Sequence, residues 1–394
     1  MAEKLILTFN AGSSTVKLGL FALDGSAARR IGKGVIDFHD QPLTFHLSEG
    51  PAVFNMPLTA QAGDDLNGVL NEVFAALGQH FDLNAIAIIG HRVVHGGDRF
   101  TRSMLLDDTV ETGISDLIPL APLHQPQSLR LIRAIRHLRP NIPQAVSFDT
   151  AFHQTNSDLV RRFAIPRALH DDGIKRYGFH GLSYQFIAGQ LLQSASDIGG
   201  KKVVVAHLGS GASLCGLDGG TSRDTSMSFT ALDGIPMGTR SGAIDPGVLL
   251  HLLTHKQYAA ADIEDLLYHR SGLLGVSGLS SDTRDLVASQ TLEADQALDL
   301  FALRIAGETA RITNTLNGLD AFVFTAGIGE HQPEIRKRVA DQLEWLGIKL
   351  DHAANEANAM VISTSQSRVK VLVVPTDEEQ VIATEAAALL DTEF

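Results

Sequence analysis

The chain reads as an α/β protein made of two duplicated halves, and three observations carry that reading. Short apolar, β-rich runs alternate with longer segments of helical period. The 394 residues, 44% of them hydrophobic, exceed what one domain usually holds. A strand, Gly/Ser turn, strand pattern also occurs twice, as Asn10-Ala11-Gly12-Ser13-Ser14-Thr15-Val16-Lys17 and as His207-Leu208-Gly209-Ser210-Gly211-Ala212-Ser213. Gly12 and Gly209 lie 197 positions apart, half the chain length. The expected division is 1–148 plus 379–394 for one domain and 149–378 for the other.

The elements follow in order. Leu5-Ile6-Leu7-Thr8-Phe9 predicts a strand over 4–9, with no cleavage pattern behind it that would make it a secretion signal. Further strands are predicted over 86–89, 145–148, 202–206, Ala321–Thr325 and 369–374. Leu131, Ile135 and Leu138 form the apolar stripe of a helix over 128–139, with Arg130, Arg133 and Arg136 on its solvated side. A second periodic helix is predicted over 301–316 and a third over 333–343. The Gly/Ser-rich pieces are short and sit between elements, as working loops do.

Composition narrows the function. A net charge of -13 argues against general binding to nucleic acid or anionic membranes, so an anionic substrate has to meet locally placed cations. No run of about 18 apolar residues predicts a membrane span. The single cysteine, Cys215, excludes an intrachain disulfide and fits a reducing cytoplasm.

Both Gly/Ser turns can let a phosphate approach the backbone closely, although Gly and Ser are common in ordinary hairpin turns too. The first adds Asn10, Ser14 and Lys17, which can meet phosphate oxygens or the waters of a hydrated Mg²⁺; the second adds His207 and Ser210. A Walker-type GxxxxGK[ST] is absent from the sequence. Thr325-Ala326-Gly327-Ile328-Gly329-Glu330-His331 predicts a strand-to-helix loop with room for an adenosine, or else a plain turn.

Other segments suit a carboxylate. In Gly90-His91-Arg92-Val93-Val94-His95-Gly96-Gly97 the histidines would stand about 13 Å apart if extended, too far to share one ion. Arg92 suits a planar anion better. Ala121-Pro122-Leu123-His124-Gln125-Pro126 predicts a rigid loop. Asp149 closes a strand as an arginine partner, a metal-site residue, a base or a helix N-cap. Arg176 to Gly181 and Met237 to Gly242 place donors beside glycines, as phosphoryl transfer requires. Asp377-Glu378-Glu379 is either a solvated turn or helix start, or a carboxylate group for Mg²⁺.

Taken in order, these segments resemble the acetokinase family, within the acetate/sugar kinase, Hsp70 and actin superfamily, from end to end of the chain. Phe148 to His153, Thr225 to Gly242 and Ser280 to Asp285 add to the match. The resemblance implies two domains of duplicated actin/Hsp70/sugar-kinase-like fold with the active site in the cleft between them. It implies a cytoplasmic homodimer that transfers phosphoryl between ATP and acetate, giving ADP and acetyl phosphate. Carried residue by residue, it makes Asn10 and Glu378 the Mg²⁺-site residues, with Mn²⁺ as a substitute. It makes Arg92 the acid-binding arginine, with Val93, Leu123 and Phe179 lining a small pocket. Asp149, His180 and Arg240 become the catalytic group. Lys17, His207, Leu208, Gly209, Ser210 and Gly211 meet phosphate, and Asp282, Thr283 and Arg284 with Gly327, Ile328, Gly329, Glu330 and His331 hold the nucleotide.

The sequence departs from the family pattern at Leu182-Ser183-Tyr184, at Ser210 for the usual Asn and at Ala243 for the usual Asp. Ala231 stands where a proline often sits beside the acid pocket, which would admit propionate. The rivals are a propionate kinase, a nucleotide-gated scaffold that leaves Arg92, Arg240 and His180 without work, and a sugar kinase, which would want a polar pocket.

Overall fold

The structure is a computed structural model that describes residues 3–12, 15–25, 27–61 and 65–390. It divides into two compact units. Unit 1 comprises Met1–Phe152, Gly181–Phe186 and Asp377–Phe394, and unit 2 comprises His153–His180 and Ile187–Thr376.

Unit 1 holds strands β1 (Leu5–Ala11), β2 (Thr15–Asp24), β3 (Ala27–Asp37), β4 (Thr44–Glu49), β5 (Ala52–Pro57), β6 (Ile86–Val93), β7 (Met104–Leu105) and β8 (Gln144–Phe148). They form one sheet in the order β5-β4-β3-β2-β1-β6-β8-β7. β1 is apolar along nearly its whole length because helices cover both faces. Leu5, Leu7 and Phe9 enter one cluster with Val69, Val73 and Phe74 of the helix Leu66–Leu77 and Ile135 of the helix Gln125–Leu138. Ile6 points the other way, to Ala383, Ala386 and Ala387 of the helix Glu378–Leu390.

Unit 2 holds β9 (Lys202–Leu208), β10 (Ala212–Asp218), β11 (Thr221–Thr225), β12 (Ala321–Thr325) and β13 (Lys370–Val373), in the order β11-β10-β9-β12-β13. In each unit the first strand pairs antiparallel with the second, and the second with the third. The first also pairs parallel with a later strand, β6 in unit 1 and β12 in unit 2, and that strand pairs parallel with the next in line, β8 and β13. β3-β2-β1-β6-β8 and β11-β10-β9-β12-β13 are therefore the same arrangement built twice, as the two Gly/Ser hairpins predict. The 25-residue helix Leu292–Leu316 covers the unit 2 sheet and is capped by the Thr291 hydroxyl, which accepts from the Ala294 N–H. Gly216 makes its approach to β10 possible, since a Cβ there would stand 2.5 Å from Ile312 Cγ2.

Four boundaries differ from the sequence reading. β6 runs on to Val93 and carries Arg92 on the strand itself. The helix Gln125–Leu138 takes in Pro126 in its first turn, where a missing N–H costs nothing, so the expected two-proline loop ends sooner. The segment Ala326–His331 is a short helix rather than a loop. The helix predicted over 301–316 begins at Leu292, behind its Thr291 cap and an acidic first turn.

Candidate active site

In unit 1 the site residues stand at or just past the carboxyl ends of β1, β6 and β8, where open α/β sheets place ligands. Asn10 comes from β1, Arg92 from β6, and Asp149 directly follows β8. Arg92 donates to Asp149 from Nη2 at 2.6 Å and from Nε at 3.1 Å, a bidentate pair. Its Nη1 donates to Asn10 Oδ1 at 3.0 Å and lies 3.7 Å from Glu378 Oε2. Asn10 Nδ2 in turn donates to Glu378 at 2.7 Å and Glu379 at 2.8 Å.

Asp149 is fully buried. Burial pushes its carboxyl above the usual value; the Arg92 charge opposes that push and Glu378 adds to it. Arg92 fares differently. Burial pulls its guanidinium down, but Asp149, Glu378 and Glu379 more than offset this, so it stays above its ordinary value. Gly181 is what lets the following helix start so near. A Cβ there would stand 1.8 Å from the Asp149 carbonyl oxygen.

Arg30, on β3, pairs with Asp377 and lies 3.9 Å from Glu379. The linked group thus sets two guanidiniums against the four carboxylates of Asp149, Asp377, Glu378 and Glu379. That surplus of negative charge suits a divalent cation. Among the described residues, no three or more His, Cys, Asp or Glu are grouped to hold a metal ion by themselves. Such a set fits Mg²⁺ retaining its waters and taking further oxygens from a phosphate, rather than a metal enclosed by protein ligands.

In unit 2 the turn between β9 and β10 is the centre. Gly209 N–H donates to the Gly211 carbonyl at 3.1 Å. A Cβ on Gly211 would lie 3.4 Å from His180 Nε2 and 3.7 Å from Arg240 Nη1, so both side chains crowd the turn. His180 sits at a positive φ of 56° just before the helix Gly181–Ser194. Its Nδ1 meets Ser213 Oγ at 2.8 Å, and its ring stacks on His207 at 4.2 Å. Arg240 donates to the Ala231 carbonyl at 3.2 Å, and burial pulls its guanidinium below the ordinary value. Among the described residues Arg240 has no carboxylate in an ion pair, so its charge is available to an anion.

Beside that turn lies a cavity of about 420 Å³, lined by Gly209, Ser210, Ser281 to Arg284, Gly327, Ile328, His331 and Gln332. Asp282 accepts from the Arg284 N–H and guanidinium, which holds its carboxyl below the usual range.

The structure thus brings together Asn10, Arg92, Asp149 and Glu378 in one unit, and His180, His207, Gly209, Gly211 and Arg240 in the other. Lys17 is exposed and faces Asn10 across the β1–β2 ladder; Ser14 lies outside the described residues. Leu208 is a buried strand residue. Gly329 lies against Phe324, and Glu330 accepts from the Ala326 and Thr376 N–H groups, so neither lines the cavity. Val93 is fully buried among Phe100, Ile114 and Phe148, Phe179 is buried in unit 2, and Leu123 is 37% exposed. Sequence reasoning missed Arg30, and it named Glu379 only within the acidic run 377–379, not as a partner of Asn10. It also missed Ser281 and Gln332, which flank segments already singled out and were legible in principle as their neighbours.

The whole chain has relatives. The model of the acetokinase family matches residues 5–384. An acetate kinase from Methylocella silvestris is 44% identical, over 99% of this chain and 98% of its own length. One from Rhizobium meliloti is 43% identical, over 98% of each. Among solved structures, a propionate kinase from Francisella tularensis superposes with a TM-score of 0.90 at 34% identity, covering 98% of this chain and 99% of its own. The Porphyromonas gingivalis acetate kinase gives 0.86 at 33% identity, covering 98% and 100%. With a family model and close sequence relatives both matching nearly its full length, the chain belongs to the acetokinase family.

Proposed function

We propose that the chain transfers a phosphoryl group between ATP and the carboxylate of acetate, forming ADP and acetyl phosphate. The observation that carries this reading is Arg240, a guanidinium without a carboxylate partner among the described residues, placed with His180 against the Gly211 turn. Such a cation serves a phosphate whose charge develops during transfer.

An acetate carboxylate is already ionised at pH 7, so it needs no base before it attacks the γ-phosphorus in line. Arg92 takes the acid and reduces the repulsion between two anions. Asp149, fully buried and bonded to Arg92 at two points, fixes that guanidinium rather than accepting a proton. His180 Nδ1 meets the Ser213 hydroxyl at 2.8 Å; in the tautomer where that hydroxyl donates, the ring N–H stands at Nε2 for the transferred group. Gly209 to Gly211 receive phosphate, and the 420 Å³ cavity takes the nucleoside. Asn10 and Glu378 would hold Mg²⁺, or Mn²⁺ in its place, which when bound supplies charge neutralisation to the phosphates.

Propionate is the second candidate acid. Ala231, whose carbonyl accepts from Arg240, leaves more room than the proline common at that position. One methylene in an apolar pocket discriminates by only about 1–3 kcal/mol. A cytoplasmic homodimer is also part of the proposal. The buried free thiol of Cys215 fits a reducing compartment, and the helix Pro246–Thr254 buries none of its residues while exposing Val248, Leu250 and Leu253. No helix among the described residues is long and apolar enough to cross a membrane.

The test is acyl-hydroxamate formation with ATP, Mg²⁺ and hydroxylamine, comparing acetate, propionate and butyrate, with sedimentation velocity on the same preparation. Product with acetate, abolished in Arg92→Ala, together with the mass of two chains, is the expected result. ATP binding without product from any acid would move the assignment to a nucleotide-gated scaffold; a one-chain mass would end the dimer proposal.

A further inference from the structure

Arg336 is fully buried in unit 2, and no step of the chemistry above uses it. Buried arginines ordinarily pair with a carboxylate, because an unpaired charge away from water is costly. Here, among the described residues, the guanidinium has no carboxylate in an ion pair. Burial pushes it down to about 10, which leaves it charged at neutral pH.

All its bonds go to carbonyl oxygens, and they fall into two sets. Nη1 donates to the backbone carbonyls of Gly329 and Glu330 at 2.9 and 3.0 Å. These lie near the end of the short helix Ala326–His331, whose Gly327, Ile328 and His331 line the cavity. Nε and Nη2 donate to Asn355, at 2.7 Å to Oδ1 and 2.6 Å to the carbonyl, and Nη2 to Asn358 Oδ1 at 2.6 Å. A six-residue helix starting from Ala326 at a φ of 65° has little intrinsic persistence. A cation at its carbonyl end satisfies oxygens the helix leaves unbonded.

We propose that Arg336 is the positioning residue of the nucleotide cavity, clamping the carbonyl end of the Ala326–His331 helix to the 355–358 turn so that Gly327, Ile328 and His331 keep the shape that receives the nucleoside. This rests on reading that cavity as the nucleotide site.

The experiment compares wild type with Arg336→Lys, which keeps the charge without the fork, and Asn358→Gly. The latter removes one acceptor at a position whose φ of 50° glycine adopts freely. Steady-state kinetics, equilibrium binding of a fluorescent ATP analogue and melting with and without ATP are measured on each. The expected result for Arg336→Lys is a roughly tenfold rise in both KM for ATP and analogue Kd, with kcat within threefold and KM for acetate unchanged. Asn358→Gly should show the same pattern at two- to fourfold. A lower melting temperature with KM for ATP unchanged, or a fall in kcat alone, would make Arg336 a fold-stability residue and overturn the proposal; if Arg336→Lys does not fold, Asn358→Gly decides by the same criteria. Failure of wild type to bind the analogue would instead remove the cavity's assignment.

Discussion

In the proposed reaction Asp149 would matter without exchanging a proton. It is fully buried and takes three hydrogen bonds from one guanidinium, so its effect is on where Arg92 points. Asp149→Asn keeps the shape but replaces an acceptor oxygen by an amide donor facing that guanidinium. The expected outcome is a fall in kcat of about 100-fold, the size of effect that misplacing a reacting group by about 1 Å can bring. Binding of the ATP analogue should stay within twofold. Near-normal turnover would show that Arg92 needs no such partner. At this scale the sequence was informative where chemistry and chain position coincide: Arg92, Asp149, His180 and Arg240 all carry glycines or a strand end beside them. Arg30 was not legible, because its partners Asp377 and Glu379 lie almost the whole chain away and nothing in the spacing joins them.

Among elements, the strands next to the site were easy to read because both their faces are buried, which makes them continuous apolar runs. β3, β4 and β5 were not read, since each keeps one face towards solvent and so lacks a continuous apolar run, although burial alternates along them. The Gly-x-Gly segment was misread for a different reason. Two glycines in six residues argue for a loop, yet the Glu330 carboxylate accepts from the Ala326 N–H and the helix forms around that cap. Gly90 gives an element-scale prediction. A Cβ there would stand 2.5 Å from Ile382 Cγ2, so the strand and the helix Glu378–Leu390 meet only because the side chain is missing. Gly90→Val should destabilise by about 1–3 kcal/mol in urea unfolding, the usual cost of overpacking. A loss below about 0.5 kcal/mol would mean that the helix moves aside freely.

For the whole molecule, three buried imidazoles set the response to acid. Burial lowers His91, His95 and His153 to about 4, with hydrogen bonds or a nearby Asp opposing. A folded-state value below the unfolded 6.5 means that the unfolded chain binds more protons. The stability these groups contribute is therefore full above about pH 6.5 and is lost as pH falls towards 4. The loss is about 2 kcal/mol per imidazole at pH 5. The raised carboxyls of Asp149 and Glu385 act in the opposite sense, gaining as pH falls, so single variants separate the contributions. Between pH 7.5 and 5, His91→Gln should lose about 2 kcal/mol less in urea unfolding than wild type does. Equal losses would show that His91 titrates normally. The duplicated architecture was legible from two hairpins, and the expected division already returned 379–394 to the N-terminal domain; that Gly181–Phe186 clusters with unit 1 was not legible, because local patterns say nothing about which unit a short internal segment joins.

That interleaving sets an order of events on the ribosome. The helix Glu378–Leu390 covers Ile6, Phe21 and Ile88 of unit 1, yet it is translated only after all of unit 2. The nascent chain can complete its second sheet while the first still shows an oily face to water. Until Asp377 and the residues behind it emerge, that face is a natural landing place for a holdase chaperone. A transcript cut short in its last codons would yield a protein with unit 2 intact and the sheet of unit 1 uncovered on one face.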